Sequence, residues 1–220
     1  AGTDELGRDI FSRILYGGRV SLTIGIISVG IGLLCGGSLG VLAAYYGGLA
    51  ETAIMRIIDI LMAIPSIILS ISICAALGSG IVNTMIAVGI SSIPTYARVF
   101  RSAVISEKSK EYIEASKAVG AGNARIILRH ILPNSLAPVI VQASLGVAQA
   151  ITTAASLSFI GLGIQPPNPE WGALLSGGRQ YIRDYPHMVV YPGIAIMLTV
   201  LALNLIGDGL RDALDPRLKR

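Results

Sequence analysis

Charge is scarce in this sequence. Asp, Glu, Lys and Arg make up 14% of its 220 residues, against roughly 25% in ordinary soluble domains. With 53% apolar residues, the chain cannot be intrinsically disordered, because disorder needs low hydrophobicity and high charge. A soluble globular domain is disfavoured for the same reason. Aromatics are only 5%, too few for the stacking platforms of RNA-binding domains. The two histidines, His130 and His187, fall between the apolar runs, with no H-E-x-x-H and no metal-ligand spacing. The two cysteines, Cys35 and Cys74, lie inside apolar runs. They make neither a disulfide framework nor a zinc site, and they read as inert buried thiols. No Gly-Lys pair occurs anywhere, so there is no phosphate loop of the G-x-x-x-x-G-K-[ST] kind and no ATP site of that type.

What is present is long apolar runs, with a mean hydropathy of +0.70. A bilayer core of about 30 Å takes about 20 helical residues. Five stretches reach or approach that length: Val20–Tyr46, Ile54–Leu77, Ile81 to about Ala97, Asn134 to about Ile164, and Met188–Ile206. They are apolar on all sides, unlike the alternating strands of a membrane barrel. The expected fold is an all-α membrane protein, a polytopic bundle of about five spans forming one domain over residues 1–220. The opening nineteen residues are polar, have no apolar core and do not begin with Met, so they are not a signal peptide.

The connections carry the remaining signal. Gly78-Ser79-Gly80 reads as a tight turn, Gly47 to Ala53 as a short loop, and residues 165–187 as a Pro-rich loop. The net charge is +4, with the basic residues gathered between apolar runs, which points to membrane orientation and not to nucleic acid. Placing the N-terminus outside puts twelve of the seventeen Lys and Arg on the cytosolic side, Arg217, Lys219 and Arg220 of the tail among them. Arg8, Arg13, Arg19, Arg179 and Arg183 are left outside. The positive-inside rule therefore favours N-out and C-in. An odd number of spans with this orientation suggests that a first span is missing.

Within the spans, Gly32, Gly36 and Gly40 share one helix face and would let another helix approach closely. Gly36-Gly37-Ser38-Leu39-Gly40 also fits G-x-S-x-G, but that elbow needs a strand before the Ser, and no histidine lies in a span to act as base. Pro65, Pro94, Pro138 and Pro192 fall within or beside four spans and are expected to kink them. Such kinks also suit a channel or secondary transporter working alone. Asp59, Asn204 and Asp208 are the candidate pathway or interface residues, since polar groups at membrane depth face protein or water. Arg56 and Asp59 have the i,i+3 spacing to pair with each other, and Asp208 lies near Arg211 at the headgroup level.

Residues 106–133 form the most informative segment. Two short amphipathic patterns, one with Tyr112, Ile113, Ala115 and Val119 and the other with Ile126, Ile127 and Ile131, are separated by Gly120-Ala121-Gly122. Asn123 is placed to cap the second helix, and Pro133 marks the start of the next span. An apolar stripe flanked by charge suits an interfacial hairpin or a helix docked in a partner's groove.

This segment resembles the coupling loop of ABC importer permeases, whose signature reads E-A-A, three residues, G, nine residues, then I-x-L-P. Here Glu114-Ala115-Ser116 is followed by Gly120 and the pattern closes at Leu132-Pro133, with Ser116 replacing the second Ala and His130 standing where the Ile would be. The opening Gly2-Thr3-Asp4-Glu5-Leu6-Gly7-Arg8-Asp9 is similar to dipeptide, oligopeptide and nickel permeases, most closely the second, C-type permease of peptide importers. So are Ser156 to Gly163, Gln165 to Gly172 and Gly207 to Pro216. The resemblance implies a transport subunit and not an enzyme, with its coupling helices between spans three and four. The partners it implies are a second homologous permease, two cytosolic ABC ATPases that bind ATP and magnesium, and an extracytoplasmic substrate-binding protein. It assigns Glu114, Ala115, Ser116, Gly120, Leu132 and Pro133 to ATPase coupling. The cargo it implies is a peptide, with glutathione and nickel as the alternatives within the family.

Overall fold

The computed structural model describes residues 2–214. Among them every regular element is helical, and the one β feature is an isolated bridge between Thr3 and Asp9. Three helices are long and apolar enough to cross a membrane: α1 (Ile10–Tyr46), α8 (Leu136–Phe159) and α10 (His187–Leu214).

The second expected span is instead two helices, α2 (Gly48–Met62) and α3 (Ser66–Leu77), bent by 86° at the break between them. Pro65 stands at that break as the residue before α3. It has no N–H and disfavours a helical residue in front of it. The twelve residues of α3 reach only about 18 Å, short of a bilayer core. The third expected span falls within α4 (Ile81–Lys108), which runs well past Ala97. α4 is not among the helices apolar enough to cross a membrane, because it also carries Asn83, Arg98, Arg101, Glu107 and Lys108.

The expected loop at Gly47–Ala53 contracts to Gly47 itself, since α2 starts at Gly48. The Pro-rich loop holds α9 (Trp171–Gly178) and a 3-10 turn at Arg179–Tyr181. Pro138 sits in the first turn of α8, where it removes no intrahelical bond, while Pro94 and Pro192 lie inside α4 and α10.

The centre of the bundle is the pairing of α1 with α4. A Cβ added at Gly36 would lie 2.4 Å from the Ile93 carbonyl oxygen, and one at Gly40 would lie 2.2 Å from that of Ala97. The small-residue face read from the sequence is thus a seam on which the α4 backbone rests. The hydroxyl of Ser38, on the outer side, donates to the Leu34 carbonyl at 2.5 Å and serves its own helix. Cys74 is buried as expected, whereas Cys35 is exposed.

One end of the bundle joins residues 2–9, the Gly78–Gly80 turn and α9. Gly80 N–H donates to Gly163 at 3.1 Å, and the Trp171 indole donates to the Ile14 carbonyl at 2.9 Å. The other end holds the 106–134 hairpin. Arg217, Lys219 and Arg220 of the basic tail lie outside the described residues.

Candidate functional site

The hairpin consists of α5 (Glu111–Ala118), a turn, then α6 (Asn123–Arg125), a π-helical stretch Ile126–Ile131 and α7 (Leu132–Asn134). His130 therefore lies on a helical turn and not in a loop. Gly120 ends α5 with φ +82, a backbone state that costs L-residues other than Gly about 1–2 kcal/mol. Gly120 N–H donates to Lys117 at 2.9 Å and Ala121 N–H to Ser116 at 3.1 Å, which is a Schellman cap. Glu111 and Glu114 in the first turn of α5 and Lys117 in the last match the helix dipole.

The hairpin is fixed to the bundle. Ile113, Ile126 and Ile131 are fully buried in a cluster with Val41, Tyr45, Phe100 and Val104, and each such side chain contributes roughly 1.5–3 kcal/mol. Lys108 reaches the end of α1, donating to the carbonyls of Ala44 (3.2 Å) and Tyr45 (2.5 Å), where a cation complements the helix dipole. The Tyr45 hydroxyl donates to Asn123 at 2.8 Å. Asn123 therefore serves this contact and not the expected cap, and Gly122 precedes α6 in its place.

Glu107, buried at the foot of the hairpin, accepts from Lys110 at 2.6 Å and from the Tyr112 hydroxyl. Burial pushes its carboxyl up, but those two hydrogen bonds and the Lys110 charge outweigh it and hold the group below its usual range. Tyr112 is pushed up to about 12 by burial and by the adjoining carboxylate.

The expected coupling residues gather on this element. Glu114, Ala115 and Gly120 are exposed, as is Pro133 on the returning arm. Ser116 is half-buried, its hydroxyl donating to Tyr112 at 2.9 Å, and Leu132 is tucked against the buried cluster. The outer surface is mixed: Val119 is 84% exposed and Leu128 65%, among exposed Glu111, Glu114, Lys117, Arg125 and Arg129.

The three expected pathway residues do not come together. Asp59 pairs at 2.7 Å with Arg98 of α4 and not with Arg56. The neighbouring Glu51–Arg101 pair, at 2.5 Å, joins it in tying α2 to α4. Both side chains of the first pair are about half exposed, so it contributes at most about 1 kcal/mol. Asp208 is exposed on α10. Of the three, Asn204 lines a recess of about 340 Å³ walled by α1, α4, α8 and α10 and by the start of α3, while Asp59 lines a separate, open recess with Glu51, Arg98 and Arg101. The polar lining of the Asn204 recess is neutral: Ser66, Thr95, Tyr96, Gln142, Gln149 and Asn204 all face it.

Sequence reasoning passed over three residues. Lys108 was one of several hairpin cations. Tyr96 read as part of an apolar run. Glu170, inside a quoted motif, is a fully buried carboxylate. It accepts from Ala173 N–H (2.9 Å) as the cap of α9 and from the Ser21 hydroxyl of α1 (3.3 Å). Burial pushes its carboxyl up against the lowering effect of these bonds. Its position directly before W-G-A-L-L is the one signal that marked it as a cap.

The sequence profile of the family described as binding-protein-dependent transport system inner membrane component matches residues 36–220. The chain is 54% identical over 218 residues to the dipeptide transport system permease protein DppC of Alkalihalophilus pseudofirmus, covering 99% of this chain and 72% of that one. It is 53% identical to the glutathione transport system permease protein GsiD of Pectobacterium atrosepticum, with the same coverage. It is 51% identical to the di/tripeptide transport system permease protein DppC of Pseudomonas aeruginosa, again with that coverage. In fold it is similar to a chain of the inward-facing MetNI methionine ABC transporter, with a TM-score of 0.75, 21% identity and coverage of 93% of this chain and 97% of that one.

Proposed function

This chain belongs to the family of binding-protein-dependent transport system inner membrane components, and from that premise we propose that it forms half of the membrane pathway of an ATP-driven importer of short peptides. The relatives named for dipeptides, di/tripeptides and glutathione are similarly distant, at 51–54% identity, so the cargo is given as a class that includes glutathione. The chain itself is not the ATPase. Nucleotide and magnesium belong to two cytosolic partner subunits, a second permease completes the pathway, and an extracytoplasmic binding protein delivers the peptide. The hairpin end of the bundle faces the cytosol, where the basic residues concentrate.

One observation supports this reading: the hairpin is seated on the buried isoleucine cluster and presents Val119 and Leu128 outward among charged side chains. Ile113, Ile126 and Ile131 hold it to the ends of α1 and α4, while Val119 and Leu128 project from it. Exposed apolar side chains flanked by charge on a short helical element suit docking in a groove. A push on it is passed to α1 and α4 because Lys108 and Asn123 bind the end of α1. The second permease has an obvious surface to cover, since only 6% of the residues in the most apolar stretch of α10 are buried.

The test is Val119→Asp in the complete assembly. Val119 is 84% exposed, so its replacement leaves the fold intact and sets a charge against any apolar groove. The ATPases are expected to be lost on copurification and peptide uptake to fall at least tenfold, with unchanged thermal stability. Retained ATPases and normal uptake would remove the coupling role.

A further inference from the structure

The neutral cavity has a feature that its packing does not explain. The Tyr96 hydroxyl is buried and has no hydrogen-bond partner, in a residue only 2% exposed. An orphaned buried donor costs about 1–3 kcal/mol. The phenol crosses from α4 to α8 and fits the notch at Gly146, where an added Cβ would lie 2.0 Å from its oxygen. Gln142 and Gln149 stand on the same face of α8, one turn to either side of Gly146, and Asn204 approaches from α10.

Among the described residues the carboxamides of Gln142, Gln149 and Asn204 make no hydrogen bond to protein, and no charged side chain lines the recess. Each carboxamide presents two donors and an acceptor oxygen. Each peptide unit of a cargo carries one donor and one acceptor. A wall of neutral amides therefore matches a peptide main chain and is indifferent to the charge of the side chains. A volume of about 340 Å³ lies at the low end of small-molecule pockets, roughly 300–1,000 Å³, which suits a dipeptide-sized segment.

We infer that this recess is a subsite that holds the main chain of a passing peptide, with a cargo carbonyl accepting from the Tyr96 hydroxyl and the amides of Gln142, Gln149 and Asn204 pairing with its peptide groups. The inference rests on the importer reading and adds that this permease wall itself recognises peptide bonds. The lack of charge keeps the hold weak, as a pathway that must release its cargo requires.

The test uses the full importer, with its ATPases and binding protein, in proteoliposomes, and reads dipeptide imported per ATP hydrolysed. The parent assembly is measured first. If it hydrolyses ATP without importing any dipeptide, the importer reading fails, independently of the subsite. Tyr96→Phe keeps the ring, and Gln149→Leu removes an amide with no protein partner, so neither change disturbs the fold. Each is expected to lower the transport-to-ATP ratio about two- to tenfold, the worth of one neutral hydrogen bond. Parent ratios in both variants would overturn the subsite.

Discussion

The α1–α4 seam allows a sharp test of what holds this bundle together. A methyl group at Gly36 would sit 2.4 Å from the Ile93 carbonyl oxygen and 3.1 Å from the Ala97 nitrogen. Carbon normally approaches such atoms to about 3.5 Å, so α4 must withdraw by about 1 Å. Both contacts are backbone, and no side-chain rotation relieves them. Overpacking of this kind costs about 1–3 kcal/mol, offset by about 0.5–1 kcal/mol of improved helix propensity on replacing Gly with Ala. The net loss is up to about 2.5 kcal/mol. At about 2–4 °C per kcal/mol for a chain of this size, Gly36→Ala should lower the apparent Tm by up to about 10 °C. Gly30 is the control, because a Cβ there meets nothing within 4 Å and Gly30→Ala gains propensity alone. Gly40→Ala should behave like Gly36→Ala, its Cβ lying 2.2 Å from the Ala97 oxygen. The double variant should cost less than the sum, since one withdrawal of α4 serves both sites. Cys74, 1% exposed, reports unfolding to a thiol-reactive dye once exposed Cys35 is replaced by Ser. Equal shifts for Gly30→Ala and Gly36→Ala would refute the seam.

Gly120→Ala should loosen the hairpin by about 1–2 kcal/mol through backbone strain alone, since nothing lies within 4 Å of an added Cβ. Gly120→Asn should cost less, because Asn tolerates the left-handed region. Amide exchange over 106–134 is the measurement, and identical protection in all three proteins would contradict the turn assignment. For Glu170 the folded carboxyl binds its proton more tightly than the unfolded one. Its contribution to stability is therefore complete below about pH 4.5, the ordinary value, and is lost as the pH rises through the raised folded value. Glu170→Gln should flatten the fall in apparent Tm over that window while keeping one acceptor for Ala173 N–H, and parallel pH profiles for parent and variant would refute it.

The hairpin was legible because its layout depends on backbone chemistry that sequence states directly. A glycine is needed where φ is +82, apolar residues repeat at helical spacing on both sides of it, and a proline follows. The glycine seam was legible for a similar reason, since three glycines four residues apart share a face in any helix. Long-range choices were not readable. Local spacing offered Arg56 to Asp59, yet Arg98, 39 residues away in the chain, holds it at 2.7 Å, because the packing of α2 on α4 decides which guanidinium is near. The kink at Pro65 was legible, but not its size, a bend of 86°, because hydropathy averaged over 54–77 passes across it. Tyr96 looked like core because its role depends on a notch in another helix.

One helix joins the hairpin and the cavity. α4 carries Tyr96 at the cavity and, about 18 Å further along at 1.5 Å per residue, Glu107 and Lys108 at the foot of the hairpin. No proline or glycine interrupts it between those points; Pro94 lies just before Tyr96. A displacement of the hairpin therefore reaches the cavity through a straight segment, and what resists it is the contact of α4 with Gly32, Gly36 and Gly40 of α1. That seam follows the segment only as far as Ala97 and Phe100. Beyond them α4 is held by Val104 in the buried isoleucine cluster and by Lys108 on the end of α1. Force applied at the hairpin must move α1 and α4 together at that end, and the close backbone contact at Gly36 and Gly40 keeps them paired as far as Ile93.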